Sequence, residues 1–156
     1  MSYGSNWLRT SAPNASWSSI TSDSSGKYLA ACQNPGSIFR SSTYGQSWLN
    51  STAPTGSWTS ITSDASGQYL AACQTGPGFI YISSSYGKWW NKTSASSDYW
   101  LMISSESAFQ YLAASSGTSC GNPGSGTIIM STNGSLSSSY FITILRYLNY
   151  HTLTLS

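Results

Sequence analysis

Apolar residues in this chain fall in short runs of four to six, separated by turn residues every 8–12 positions. No stretch sustains the 3.6-residue apolar period of a helix, so the pattern predicts strands and almost no helix. In the first full stretch the strands are expected near 17–22, 27–32, 37–42 and 46–51. Between the first two lies Asp23-Ser24-Ser25-Gly26. Asp bonds its own downstream backbone and Gly accepts positive φ, so this is tight-hairpin chemistry.

The pattern repeats. Trp17-Ser18-Ser19-Ile20-Thr21-Ser22-Asp23 returns as Trp58-Thr59-Ser60-Ile61-Thr62-Ser63-Asp64, then as Trp100-Leu101-Met102-Ile103-Ser104-Ser105-Glu106, at offsets of 41 and 42. Tyr28-Leu29-Ala30-Ala31-Cys32 recurs as Tyr69-Leu70-Ala71-Ala72-Cys73 and as Tyr111-Leu112-Ala113-Ala114-Ser115. Tyr44-Gly45-Gln46-Ser47-Trp48 recurs as Tyr86-Gly87-Lys88-Trp89-Trp90, and Tyr3-Gly4-Ser5-Asn6-Trp7 is the same piece of a preceding copy. In the third copy Glu106 and Phe109 replace Asp and Gly, so that turn is expected to differ.

Four-stranded units at this period point to an all-β chain of β-propeller blades, which bury their sheet faces against neighbours. The expected divisions are a leading strand within 1–16, units 17–57, 58–99 and 100–134, and an atypical tail 135–156.

Ser41-x-Thr43-x-Gly45-x-x-Trp48 and Ser83-x-Ser85-x-Gly87-x-x-Trp90 resemble the Asp-box, Ser-x-Asp-x-Gly-x-x-Trp. This repeat (also called BNR) is found in sialidases, sortilin-type receptors and photosystem II assembly factors, and the resemblance covers about residues 1–134. It makes Trp17, Trp58, Trp100, Trp48, Trp90, Gly45 and Gly87 structural repeat residues. It also implies rings of about six or seven blades. Three units therefore suggest either a section of a longer propeller or two chains closing one six-blade ring. In the second case the leading strand would complete unit 100–134, whose Ser131-Thr132-Asn133-Gly134 is one residue short and lacks the Trp. The family's Asp is Thr43 in one copy and Ser85 in the next, and either can hold a turn through its hydroxyl. A sialidase implies an arginine cluster, a Tyr nucleophile and an acidic partner. Here Arg9, Arg40 and Arg146 sit at unmatched positions. The resemblance carries fold, and the expectation is a protein that is not an enzyme.

Composition agrees. Charged residues are 6 % and aromatics 14 %, with one residue in three Ser or Thr. Disordered chains are charged and aromatic-poor. The net charge of +2 comes from six scattered basic residues, so no nucleic-acid partner is expected. No apolar run reaches the length of a membrane helix. Met1-Ser2-Tyr3-Gly4 has neither the basic nor the apolar part of a signal peptide. Asn-x-Ser/Thr sequons at Asn14, Asn50, Asn91 and Asn133 permit glycosylation and lean towards an extracellular setting.

No catalytic residue is assigned. Asp23, Asp64 and Glu106 are equivalent turn residues rather than a facing pair. His151 is the single histidine and has no nucleophile elbow to serve. One His and three separated Cys give no metal-ligand spacing, and no cofactor is expected. Cys32 and Cys73 are expected to be buried free thiols, and Cys120 lies in a Gly-rich loop. The candidate ligand-binding residues are Trp89, which strand alternation turns away from Trp90, and Tyr44 and Tyr86 at hairpin tips. The expected function is a non-catalytic recognition or scaffold module for carbohydrate or a protein partner. The alternatives are a section of a sialidase-like glycoside hydrolase whose catalytic residues are absent from this chain, or a protein like the photosystem II assembly factors.

Overall fold

The computed structural model describes residues 6–117 and 126–132. Tyr3, Cys120, Asn133, Arg146, His151 and the tail 135–156 lie outside them. All eleven elements are strands, in three antiparallel sheets. The first is β1 (Trp17–Ser22), β2 (Leu29–Gln33), β3 (Ile38–Ser41) and β4 (Leu49–Asn50), in that order. The second is β5 (Trp58–Ser63), β6 (Leu70–Gln74), β7 (Ile80–Ser83) and β8 (Asn91–Lys92). The third has three strands, β9 (Trp100–Ser105), β10 (Tyr111–Ser116) and β11 (Ile128–Thr132). Register is identical across the units: Ile20 faces Ala31, Ile61 faces Ala72 and Ile103 faces Ala114. These are the blades of a β-propeller.

Blades stack through their first strands, β1 on β5 and β5 on β9. Each first strand carries a bulge beside its Trp, and a bulge re-aims the extra residue. Here the hydroxyl of that residue reaches the next sheet. Ser18 donates to the Trp58 carbonyl at 2.8 Å and Thr59 to the Trp100 carbonyl at 3.0 Å. Thr21 meets Ser63 at 3.1 Å, and Thr62 meets Ser105 at 2.9 Å. The Ile61 amide donates to Ser19, and the Ile103 amide to Ser60. Small hydroxyl side chains let the inner strands come close while satisfying backbone groups that the approach buries.

Further out the contact is apolar. Ala30, Cys32 and Ile38 of the first blade meet Trp58, Ile61, Leu70 and Ala72 of the second. Ala71, Cys73 and Ile80 then meet Trp100, Ile103 and Ala114. The leading face of the first blade has no such cover among the described residues. Ile20 is 63 % exposed, against 5 % for Ile61 and 6 % for Ile103. Trp17 is 37 % exposed, against 0 % for Trp58 and 1 % for Trp100.

Three expectations need correction, and a fourth is met only in part. The second strand begins at Leu29, not 27, because the Asp23 carboxylate takes the Tyr28 amide at 2.9 Å and draws 27–28 into the turn. The fourth strand shrinks from 46–51 to Leu49–Asn50, because residues 41–48 form a compact hydroxyl-held turn. The expected leading strand is absent from residues 6–16. Such a strand forms by pairing with a third strand, as Leu49 pairs with Arg40, and none of the described sheets includes residues 6–16. The turn at Glu106 differs in its side-chain bonds but keeps the backbone path of its counterparts. Phe109 adopts φ +56°, where Gly26 and Gly67 have +75° and +74°. The longer Glu106 side chain still gathers the amides of Ala108 (2.5 Å), Gln110 and Tyr111 (3.3 Å). A non-glycine residue there costs about 1–2 kcal/mol, and the Phe109 ring stacks on Tyr69 at 5.8 Å in compensation.

Candidate functional site

Both hairpins of a blade open on one end of the sheet. The Tyr44 amide donates to the Lys27 carbonyl at 3.2 Å, and the Tyr86 amide to Gln68 at 3.1 Å. The two hairpins are thus tied together, and their tips make one rim.

The geometry of the second hairpin follows from its residues. The buried Ser41 hydroxyl accepts the amides of Thr43 (3.2 Å) and Gly45 (3.0 Å). Ser83 does the same for Ser85 (3.3 Å) and Gly87 (3.1 Å). Thr43 and Ser85 accept the amides of Ser47 and Trp89, each at 2.9 Å. The chain reverses through two successive left-handed residues, Tyr44 with Gly45 (φ 56° and 78°) and Tyr86 with Gly87 (53° and 73°). The indole of Trp48 then donates to the Gly45 carbonyl, and that of Trp90 to Gly87. Each indole packs 6.4 Å from the first-strand Trp of its own blade.

The three candidate aromatics are placed differently. Trp89 is 56 % exposed, with Lys88 Nζ 5.1 Å from its ring. Tyr44 is exposed at its own tip. Tyr86 stacks on Tyr28 of the preceding blade at 4.6 Å, and Lys27 Nζ lies 5.1 Å from the Tyr28 ring. Tyr86 and Trp89 share one hairpin, while Tyr44 belongs to the next blade along the rim. Tyr28 and Lys27 escaped the sequence reading, although Tyr28 recurs at Tyr69 and Tyr111 and that recurrence was the available signal.

The four carboxylates serve the backbone. Asp23 and Asp64 are buried and hold the amides of Tyr28 (2.9 Å) and Tyr69 (3.0 Å), with the hydroxyls of Ser25 and Ser66 at 2.5 Å. Burial pushes the Asp23 carboxyl up, but hydrogen bonds from Ser25, Tyr28 and Lys27 outweigh it and hold it below its ordinary value. Glu106 is also held low, chiefly by the Ala108 amide. Asp98 accepts the Tyr99 amide at 2.7 Å. Cys32 and Cys73 are buried free thiols. Burial pushes both up, Cys73 to about 11. No group of three or more His, Cys, Asp or Glu among the described residues is placed to hold a metal.

A groove of about 700 Å³ opens between the second and third blades, lined by Tyr69, Ile80, Phe109, Leu112 and Ile129 among others. The corresponding place between the first and second blades is closed by Trp90.

The closest approach to known proteins is in shape. No protein-family pattern and no curated protein sequence matches the chain. It is similar to the GH74 enzyme of Niastella koreensis, with a TM-score of 0.60 and 18 % identity over 80 % of this chain and 17 % of that one. It is similar to the Cps50 (Swd1) β-propeller domain of Myceliophteria thermophila, at 0.50 and 11 % over 86 % of this chain and 43 % of that one. YCF48 bound to D1 peptide matches at 0.49 and 18 %, over 63 % of this chain and 31 % of that one, and adds nothing to the argument. The chain spans less than half of each. At these identities the likeness establishes the propeller fold alone.

Proposed function

We propose that this propeller section is a non-catalytic recognition module whose ligand is carbohydrate, held on the rim at Trp89. The observation that carries the reading is a large indole left more than half exposed on a hairpin whose Ser85, Gly87 and Trp89 amides are held by the hydroxyls of Ser83 and Ser85. A rigid, exposed aromatic face stacks on the apolar face of a sugar ring at little entropic cost. Lys88 and Tyr86 flank it with donors, and the near absence of charge suits a neutral ligand. A glycoside hydrolase needs two free facing carboxylates. Asp23, Asp64, Asp98 and Glu106 are each engaged by their own turn, which supports the reading that these blades themselves carry no catalytic pair.

The test is a glycan array probed with the full chain and with Trp89→Ala. Retention of a defined glycan class, weakened about 5- to 30-fold in the variant, is the expected result; that range corresponds to roughly 1–2 kcal/mol for one stacked aromatic. Binding that ignores the substitution would overturn the site. Hydrolysis of any retained glycan would overturn the non-catalytic reading. If no glycan binds, the rim serves a protein partner instead.

A further inference from the structure

We infer that two copies of this chain close on each other, the Trp7 segment of each entering the groove between the second and third blades of its partner. Three observations converge on this arrangement, and none depends on the glycan reading.

The groove is the seat of a second-hairpin Trp. In the second blade Trp90 packs over Trp58, beside Ile61, Leu70, Ala72 and Tyr81. The repeat-equivalent residues of the third blade are Ile103, Leu112, Ala114 and Ile129, and these line the groove. Beneath them Trp100 is buried with its indole N–H unpartnered, whereas the Trp58 indole donates to Pro54 at 3.2 Å.

Trp7 has the spacing to fill that seat. Trp48 precedes Trp58 by ten residues and Trp90 precedes Trp100 by ten. Trp7 precedes Trp17 by the same ten and is 88 % exposed. If the first blade of one copy stacks on the third blade of the other as the second stacks on the first, Trp7 falls at the Trp90 position of that third blade.

The two open faces match in register. Within the chain, position 18 reaches Trp58 and position 19 reaches Ile61, both through hydroxyls. The third blade replaces those hydroxyls by Leu101 and Met102, which are 48 % and 68 % exposed. Continued stacking sets Leu101 against Trp17 and Met102 against Ile20 of the partner copy. The polar rungs become an apolar contact at the two equivalent junctions between copies, where exposed apolar faces meet.

The experiment uses the full 156-residue chain. Sedimentation equilibrium at micromolar concentration is expected to give twice 16.7 kDa. Trp7→Ala and Met102→Glu both change exposed side chains, and the far-ultraviolet circular dichroism of each variant is compared with the parent's. Each is expected to weaken dimerisation at least about tenfold. In a Cys120→Ser background, chains carrying Ile20→Cys and chains carrying Met102→Cys, mixed and oxidised, are expected to form a heterodimeric disulfide. A monomer would overturn the proposal, because the groove is then filled by the chain's own remaining residues or left open. So would a dimer indifferent to Trp7→Ala, or one that forms no cross-link between positions 20 and 102.

Discussion

Thr59→Val isolates a single rung between blades. Thr59 Oγ1 lies 3.0 Å from the Trp100 carbonyl and 3.3 Å from the Cys73 carbonyl. Valine has nearly the same shape but no donor. The loss has two parts. One net hydrogen bond is worth about 1 kcal/mol, and a carbonyl left unmet in a part-buried seam adds about 1–3 kcal/mol where water cannot reach it. The added methyl group recovers up to about 0.8 kcal/mol of burial. The expected cost is about 1–3 kcal/mol, while Thr59→Ser, which keeps the hydroxyl that Ser18 has in the first blade, is expected to cost under about 0.5 kcal/mol. Urea unfolding followed by tryptophan fluorescence at one fixed protein concentration measures both. With a slope of about 1–3 kcal/mol per molar, the valine variant shifts the midpoint down by roughly 0.3–3 M without changing the slope. A valine variant as stable as the parent would refute the view that hydroxyl rungs, rather than apolar packing alone, fasten the blades.

Three further outcomes are expected. Because the folded-state pKa of Asp23 is lowered, its stabilisation is fully present above the ordinary carboxylate value near ~3.9 and is lost as pH falls below it; Asp23→Asn should flatten the acid limb of a stability-against-pH curve, measured by thermal melting. Cys73, pushed up to about 11, and Cys32 stay protonated and covered; a Cys120→Ser chain should take up no thiol reagent at pH 8 when folded and two equivalents in denaturant. Ser85→Asp replaces a neutral acceptor of the Trp89 amide with a charged one; a gain of about 0.5–1 kcal/mol in the same urea assay is expected.

The blades were legible because the repeat states its register three times. The Trp and Ile of each first strand sit at fixed offsets, so burial in one unit implies burial in the next. Turns were legible where the residue type matches the geometry, as at Asp23 and Gly26. They were illegible at Phe109, because intrinsic preference forbids the left-handed region to Phe and only tertiary contact with Tyr69 and the Glu106 amide cradle offsets the strain. The rungs were hidden in composition: Ser18, Thr59, Thr21 and Thr62 look like ordinary strand or surface residues, and the bulge that turns 18 and 59 toward the next sheet leaves no sequence mark. On the rim, Trp89 could be placed by alternation, but the Tyr28–Tyr86 stack joins two units and no within-unit pattern contains it.

The rungs have a consequence for the medium in which the molecule works. An ion-paired seam tightens and loosens with ionic strength, because charges about a Debye length apart are screened within roughly 8–10 Å at physiological salt. The seams between these blades are fastened by neutral hydroxyls meeting carbonyls, amides and one another. Nothing in that chemistry responds to counterions, so the angle between neighbouring blades is set alike in dilute buffer and in brine. A binding rim carried on such a frame keeps its shape wherever the salt concentration varies.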